Sequence, residues 1–369
     1  MYTLNRIFDY ASRETLIGIT IGGILTIGTA FIIYYLQKRY SKKQSKKTDK
    51  QYNDLIIEIK KIQPKDASDE LKKEVRIAEE SIINPKTANS FFLKAYAAQI
   101  SKNYDIAIEN YKNVLKLVPD TYLAYNNMGN TYCEKQNYDK AIECFETAIK
   151  LEPNDCMAYN NMGSAYCGKQ DYDKAIECFK KSIQLKPDIA GVYCNIGDAY
   201  NQKQDYGKAL EYYDKAIELK PDYAEAYFNM GNTYYGKQDY DKALEYYDKA
   251  IKIKPEFEKA YNNIGSIYYN KKDYNKAIEY LGKTIILNPY DAVAYYNMGY
   301  AYFSKQDYNK VIEFCKKAIE LKPDFAQAYF NMGNAYGISG NIEKAIECIK
   351  TAAELGDEES LQWLKKRCL

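Results

Sequence analysis

Proline recurs at one constant interval through most of this chain of 369 residues. The interval, about 34 residues, is typical of a supersecondary element that cannot bury its own apolar face, so successive copies must stack on their neighbours. The sequence therefore predicts a solenoid of stacked repeats, a kind of molecule that acts through its surface. The periodic prolines are Pro119, Pro153, Pro187, Pro221, Pro255, Pro289 and Pro323.

Glycine and two series of tyrosines keep the same period. Within one repeat, Tyr227, Gly231 and Tyr234 have the i, i+4, i+7 spacing that places them on one face of a helix. A glycine inside a helix costs about 1 kcal/mol relative to alanine, so we expect close approach of a second helix, at alanines such as Ala243. Proline ends that second helix because it lacks an N–H group. Each repeat is predicted to be a helix pair joined by a short polar turn.

The segment AEAYFNMGN at residues 224–232, closed by Pro255, resembles the tetratricopeptide repeat (TPR) consensus. The resemblance covers eight repeats over residues 88–359, and it implies an all-α, right-handed superhelical solenoid. The end repeats depart from the pattern, since Ala95 replaces the glycine of the first and Asp357 the proline of the last. Residues 360–369 are predicted to form a C-terminal capping helix with Leu361 and Leu364 turned inward.

An apolar stretch without charge runs from Leu16 to Leu36 and follows an N-terminal flank at residues 1–15. Its length as a helix matches the roughly 30 Å hydrocarbon core of a bilayer, so residues 16–36 are predicted to be a transmembrane helix. The alternative is a cleaved signal peptide, which would make the chain a secreted or periplasmic binder; its apolar core would normally be shorter and end at small residues. Gly18 and Gly22 have a spacing that allows a weak self-association of this helix.

Basic residues follow the apolar stretch in the linker at residues 37–52. Lys38, Arg39 and five further lysines outnumber the single acidic residue there, Asp49. Basic clusters that flank a transmembrane helix tend to stay on the cytoplasmic side of the membrane. The sequence therefore predicts a single-pass membrane protein whose repeats face the cytoplasm. Residues 53–87 lack the periodic pattern and are predicted to be a helical spacer.

Composition argues against several classes of function. The chain has 52 Lys and Arg against 50 Asp and Glu, so it lacks the basic surplus that a nucleic-acid partner requires. It has no histidine, and its nine cysteines include no CxxC pair. Without histidine the chain lacks the commonest zinc ligand and the commonest acid–base catalyst. We interpret the cysteines as apolar residues of the helices. We predict no catalytic residue, cofactor or metal, and therefore no enzyme.

An asparagine stands two residues before each periodic glycine, about 160° round the helix from the buried face. The resemblance places the first helix of each repeat along a concave groove, and asparagines at this position are similar to the ladder in O-GlcNAc transferases. An amide both donates and accepts, which suits a peptide backbone. The alternative is that the asparagines reflect the repeat consensus alone. The ladder comprises Asn127, Asn161, Asn195, Asn229, Asn263, Asn297 and Asn331.

Aromatic residues at neighbouring positions of the C-terminal repeats are predicted to anchor a partner: Phe228, Tyr296, Tyr300 and Phe330. The sequence thus predicts a membrane-anchored scaffold or receptor that binds an extended peptide or a partner helix in its groove. The alternative is a regulatory or substrate-delivery subunit of an enzyme complex, such as one with a glycosyltransferase. Replacing Asn195, Asn229 and Asn263 by alanine should weaken binding and leave the melting temperature nearly unchanged.

Overall fold

All regular structure in residues 88–367, the part of the chain that the computed structural model describes, is helical. Seventeen helices and no strand occur within these residues, so the prediction of an all-α helical array is confirmed. The chain divides after Leu219 into an N-terminal and a C-terminal unit, and each is described here by itself.

The N-terminal unit contains four helix pairs within its described residues. The first helices of the pairs begin at residues 88, 122, 156 and 190, so the period of the prolines is also the period of the structure. Its helices are α1 (Ala88–Ile100), α2 (Tyr104–Leu117), α3 (Tyr122–Glu134), α4 (Tyr138–Leu151), α5 (Cys156–Gly168), α6 (Tyr172–Leu185), α7 (Ala190–Gln202) and α8 (Tyr206–Leu219).

The C-terminal unit contains four further pairs and a last helix. Within each unit, every helix packs against the next along the chain, and first helices of successive repeats also touch each other. The helices are α9 (Ala224–Gly236), α10 (Tyr240–Ile253), α11 (Glu258–Asn270), α12 (Tyr274–Leu287), α13 (Ala292–Ser304), α14 (Tyr308–Leu321), α15 (Ala326–Ile338), α16 (Ile342–Glu354) and α17 (Glu358–Arg367).

A recurring turn joins the two helices of a pair. Its middle residue has a positive φ, as at Gln170 with φ 62°, and the next residue caps the second helix. Asp171 accepts a hydrogen bond of 3.3 Å from the backbone N–H of Lys174, which satisfies one of the free donors of the first helical turn. The eighth repeat uses Gly340, with φ 83°, for the same conformation. Equivalent caps are Asn137, Asp205, Asp239, Asp273, Asp307 and Asn341.

In several repeats the periodic glycine packs against an aromatic ring of the second helix. In the second repeat the fully buried ring of Phe145 occupies the space over Gly129, and Tyr247 does the same over Gly231. The nearby Ala243 is fully buried in the same interface. In these repeats a ring takes up the space that the missing Cβ leaves, whereas at Gly333 a Cβ would lie 3.2 Å from the backbone oxygen of Ala345 on the second helix.

The C-terminal helix α17 follows a capped turn in which Asp357 accepts hydrogen bonds from Ser360 N at 2.8 Å and Ser360 Oγ at 2.6 Å. The prediction for its inward residues is half right. Leu364 is half-buried, but Leu361 is 40% exposed, since none of the described helices packs on that side of α17.

The predicted transmembrane helix, basic linker and helical spacer lie outside the described residues. Among residues 88–367, none of the helices combines the length and the apolar character needed to cross a bilayer.

Candidate functional site

Ladder asparagines of the N-terminal unit connect neighbouring first helices. Asn161 donates from Nδ2 to Oδ1 of Asn126 at 3.2 Å, and Asn195 donates to Oδ1 of Asn160 at 2.9 Å. In both cases the acceptor belongs to the preceding repeat and stands one residue before that repeat's ladder position. The ladder side chains therefore also hold the repeats in register.

The C-terminal unit uses the same bond where the acceptor is present. Asn297 donates to Oδ1 of Asn262 at 3.1 Å. For Asn263 the residue at the acceptor position of the preceding repeat is Phe228, which cannot accept a hydrogen bond. Asn263 instead donates to Oδ1 of Asn232 at 2.9 Å and to the hydroxyl of Tyr247 at 3.2 Å. The Tyr247 hydroxyl in turn donates to Asn232 Oδ1 at 2.7 Å.

Asn331 departs from this pattern. Its acceptor position holds Tyr296, and its alternative partners are replaced by Tyr300 and Cys315. The amide lies near enough to the Tyr296 hydroxyl to oppose the rise in the pKa of that phenol, a rise caused mainly by burial, but the contact lacks hydrogen-bond geometry. Asn331 is 8% exposed, and its Nδ2 is the one buried side-chain polar atom without a partner among the described residues.

The predicted site residues differ in how much surface they offer. Tyr300 is 43% exposed and Asn331 is buried, whereas the other predicted residues are half-buried. Two of the aromatic residues pack on buried rings outside the predicted set: Phe228 lies 4.8 Å from Phe257 between ring centroids, and Tyr296 lies 5.0 Å from Phe325. The half-buried residues are Asn127, Asn161, Asn195, Asn229, Asn263, Asn297, Phe228, Tyr296 and Phe330.

A cleft of about 270 Å³ opens on the first-helix surface of the C-terminal unit. It lies between α9, α11 and the turn before α13, and it brings two predicted residues, Phe228 and Asn263, together with others that the prediction did not include. The aromatic ring and amides form its apolar and polar walls, and both signs of charge stand at its rim. The lining residues are Phe228, Glu258, Lys259, Asn262, Asn263, Asn288 and Asp291.

Two of the cleft's polar residues are fixed by local bonds. Asp291 caps α13 by accepting from the backbone N–H groups of Val293 at 2.9 Å and Ala294 at 3.2 Å. Asn288 accepts from the N–H of Tyr290 at 3.2 Å, so its Oδ1 is also in use. Below the cleft, burial raises the pKa of Tyr247, and its hydroxyl stays protonated as a donor to Asn232.

A larger, more open depression of about 580 Å³ lies beside α14 and is lined by charged residues of that helix together with Tyr295. Both of its acidic residues are paired: Glu313 contacts Lys310 at 2.8 Å, and Glu320 contacts Lys317 at 2.8 Å. A ligand would have to compete with these pairs and with water, so we regard the smaller cleft as the better candidate site.

Five of the cysteines in the described residues offer little reactivity. Burial raises the pKa of Cys144 and Cys315 to about 12, and the pKa of Cys133, Cys167 and Cys178 to about 11. A thiol with so high a pKa is a poor nucleophile and metal ligand at neutral pH. Within residues 88–367 there is no cluster of three or more Cys, Asp or Glu residues placed to hold a metal ion.

Asn262 and Tyr247 are the residues of this region that sequence reasoning undervalued. Asn262 was visible as the neighbour of a ladder position, but its bond to Asn297 depends on the distance between two repeats. Tyr247 falls at a phase where other repeats carry Phe145 or Leu281. The hydroxyl of Tyr247, which Phe and Leu lack, was the signal that this position takes part in hydrogen bonding, since a buried hydroxyl requires a polar partner.

Family models described as tetratricopeptide repeat match the chain in overlapping segments: residues 120–188, 154–220 and 188–256, then 258–291 and 292–325, and finally 314–347. Together these segments cover residues 120–256 and 258–347, which is more than half of the 369 residues. None of the curated proteins compared with the chain matches it.

Several solved structures are similar. The crystal structure of the MamA protein is 29% identical with a TM-score of 0.41, over 46% of this chain and 93% of that one. YrrB, described as a TPR protein with an unusual peptide-binding site, is 27% identical with a TM-score of 0.44, over 52% and 99%. The APC/C hetero-tetramer Cut9-Hcn1 is 17% identical with a TM-score of 0.52, over 86% and 63%, and shares the fold.

Proposed function

Because this chain belongs to the tetratricopeptide repeat family, we propose that it is a non-catalytic protein-interaction scaffold whose first-helix surface binds an extended segment of a partner chain. The observation that carries the proposal is the cleft beside Phe228, Asn262 and Asn263. An aromatic wall next to amides suits a polypeptide, which presents apolar side chains and main-chain polar groups alternately.

The ladder supports the same function in the other repeats. Asn161, Asn195 and Asn297 each use one N–H group in an inter-repeat bond, and an amide carries two N–H groups and an acceptor oxygen. The half-buried ladder amides keep hydrogen-bonding capacity after fixing the register of the repeats. These remaining groups can bind the N–H and C=O groups of a partner's main chain, whatever the partner's sequence.

The proposed scaffold is tethered to a membrane by residues 16–36, with its repeats in the cytoplasm. The proposal rests on the uncharged length of this stretch and on the basic residues that follow it. Alkaline carbonate extraction of native membranes, followed by N-terminal sequencing, tests it. A chain that begins at Met1 and stays in the pellet is expected, whereas a shortened chain in the supernatant supports the secreted alternative.

Selection of peptides tests the binding function. The purified full-length chain is used to select binders from a phage-displayed library of random dodecapeptides, and a photo-crosslinking amino acid is then placed at Lys259 or, as a matched control, at Lys316. We expect crosslinks from Lys259, at the cleft, and none from Lys316, which lies on α14 at the larger depression. Crosslinks from Lys316 alone, or the failure to select any peptide, would overturn the proposal.

Replacing Asn195, Asn229 and Asn263 together by alanine gives a second readout. Selected peptides should bind this variant more weakly. The expectation of an unchanged melting temperature is revised, because Asn195 and Asn263 make inter-repeat hydrogen bonds, each worth about 1 kcal/mol. Binding is therefore measured at a temperature where circular dichroism shows the variant to be folded.

A further inference from the structure

The turn before α13 differs from the turns before the other first helices of the C-terminal unit. In each of those three turns a lysine ammonium lies over the aromatic ring that stands three residues later in the chain. The pairs are Lys220 and Tyr223 at 5.0 Å, Lys254 and Phe257 at 5.2 Å, and Lys322 and Phe325 at 5.1 Å, measured from Nζ to the ring centroid. The turn before α13 has Asn288 and Asp291 at these two positions. It therefore lacks both the cation and the ring.

One repeat earlier, the place equivalent to the cleft is filled by the chain's own side chains. Phe257 packs on Phe228 there, with 4.8 Å between the ring centroids. Lys254 also reaches Glu225, with Nζ 3.5 Å from Oε1. A lysine side chain is thus held between a carboxylate and an aromatic ring. At the cleft the residue equivalent to Lys254 is Asn288, which carries no charge.

The cleft has carboxylates at two positions where the filled place has apolar side chains. Asp291 stands in place of Phe257 and Glu258 in place of Ala224, and both acidic residues line the cleft. The hydrogen bonds that Asp291 accepts as the cap of α13 both go to Oδ1, so neither of them uses Oδ2. The lining holds these two carboxylates and one ammonium, that of Lys259, so its net charge is −1. An open cleft of this charge favours a cationic ligand group.

Glu258 and Asp291 come from neighbouring repeats, yet their positions lie close together. In the N-terminal unit the same two positions hold Tyr122 and Asp155. Burial raises the pKa of Tyr122, and the negative charge of Asp155 raises it further. A charge has this effect only over a short distance. Both carboxylates of the cleft can therefore act on one ligand group.

We infer that the cleft selects a basic side chain of the partner, lysine or arginine, whose charged end lies between the carboxylates of Glu258 and Asp291. The inference rests on the proposed function and adds to it the chemistry of one partner residue. The apolar stem of the lysine or arginine packs on the ring of Phe228. The charged end takes the place of the lysine that the turn before α13 lacks. An acidic residue at that point of the partner is excluded, because it would meet two carboxylates.

Peptides selected from the dodecapeptide library with the full-length chain test this inference. The selected sequences should share a basic residue. Exchanging that residue for a neutral one of similar size, citrulline for arginine or norleucine for lysine, should lower the affinity at least about tenfold, since a charged hydrogen bond is lost. Isothermal titration calorimetry measures the affinities.

Neutralising the two carboxylates should have the same effect as neutralising the peptide. Glu258→Gln combined with Asp291→Asn keeps the shape of both side chains, and asparagine still caps α13. The basic peptide should bind this double variant at least about tenfold more weakly than the natural chain. The basic and the neutral peptide should bind it within about threefold of each other, because the charged partner of the basic residue is gone.

A charge-matched control and a restoring variant complete the test. Glu256→Gln with Asp324→Asn removes the same charge from exposed turn residues that do not line the cleft, and binding should stay within about threefold of that of the natural chain. Asn288→Lys restores the lysine of the other three turns, and its ammonium should occupy the cleft. This variant should therefore bind the basic peptide at least about tenfold more weakly, while circular dichroism shows it to be folded.

The outcomes separate the inference from the proposed function. The inference is overturned, even where crosslinks from Lys259 support the cleft, if the selected peptides share no basic residue or if the double variant and the natural chain bind the basic peptide equally well. An equal loss in the charge-matched control, or unchanged binding by Asn288→Lys, overturns it too. If no peptide is selected, or if crosslinks come from Lys316 alone, both proposals fall together.

Discussion

The ring of Phe145 lies over Gly129 so closely that a Cβ atom on the glycine would be 2.6 Å from Cε1 of the ring. The same relation joins Gly163 to Phe179 and Gly197 to Tyr213. Because these rings are almost completely buried, they have no room to move aside. The glycine is thus retained at the cost of helix propensity, because the second helix supplies a large side chain at that point.

Gly129→Ala should lower the free energy of unfolding by about 1–3 kcal/mol, because a methyl group is forced into a packed interface. Gly207, by contrast, is an exposed glycine of α8 whose nearest atom to an added Cβ is Asp205 Oδ1 at 3.9 Å. Gly207→Ala should therefore raise stability by up to about 1 kcal/mol. Urea unfolding followed by circular dichroism compares the two variants.

The seventh repeat supplies an intermediate case. Its glycine, Gly299, meets Cys315 Sγ at 3.2 Å, a smaller and softer neighbour than a ring. Gly299→Ala should cost less than Gly129→Ala. Equal losses in these two variants would show that the glycines are kept for a reason other than the side chain that covers them.

The inter-helix turn gives the second prediction. Gln170 has φ 62°, a conformation that costs an ordinary L residue roughly 1 kcal/mol and that glycine adopts freely. Gln170→Gly should therefore stabilise the chain by a few tenths to about 1 kcal/mol, measured as the shift of the urea midpoint. Lys169→Gly is the control, because Lys169 has φ −82° and gains nothing from glycine. A destabilised Gln170→Gly contradicts the argument.

The repeat architecture could be read from the sequence because every level of it is local. The spacing of Tyr227, Gly231 and Pro255 fixes two helices and where they end, and the period extends this to the whole array. Interactions across the interface were less visible. The salt bridge between Lys169 and Asp139, which lie almost a full repeat apart in sequence, recurs in other repeats, but nothing in the helical periodicity pairs these two positions.

Parts of the site could be predicted and parts could not. The position of Asn263 on the first-helix surface follows from its phase relative to Gly265. The identity of its hydrogen-bond partners does not follow from the sequence. Asn263 bonds to Asn232 and Tyr247 because Phe228, at the usual acceptor position, offers no acceptor atom. Such bonds depend on side-chain direction and on the distance between repeats, and neither can be inferred from the sequence of a single repeat.

Alkaline pH should destabilise the chain. Burial raises the pKa of Cys144 and Cys315 to about 12, whereas a thiol in the unfolded chain ionises near pH 8.5. Below that pH both states hold the proton and the full contribution is present. As the pH rises further, the unfolded state loses its protons first, so the free energy of unfolding falls until the native thiols ionise too.

Urea unfolding in the presence of a reductant, at about pH 7 and about pH 10, measures this effect. Cys144→Ala with Cys315→Ala removes two of the contributing groups, and this double variant should lose less stability between the two pH values. An unchanged or steeper dependence contradicts the assignment to these thiols. The buried Tyr247, whose pKa is also raised, contributes in the same direction at still higher pH.

Asn331 supplies the last prediction, because its buried Nδ2 has no partner among the described residues. An unsatisfied buried donor costs about 1–3 kcal/mol, and leucine has nearly the shape of asparagine without the polar atoms. Asn331→Leu should therefore raise the free energy of unfolding. Asn297→Leu at the equivalent position of the previous repeat should lower it, since Asn297 gives up a hydrogen bond of 3.1 Å to Asn262. The opposite signs follow from the residue at the acceptor position, which is Tyr296 for Asn331 and Asn262 for Asn297. A loss of stability in both variants would show that the Asn331 amide is satisfied after all.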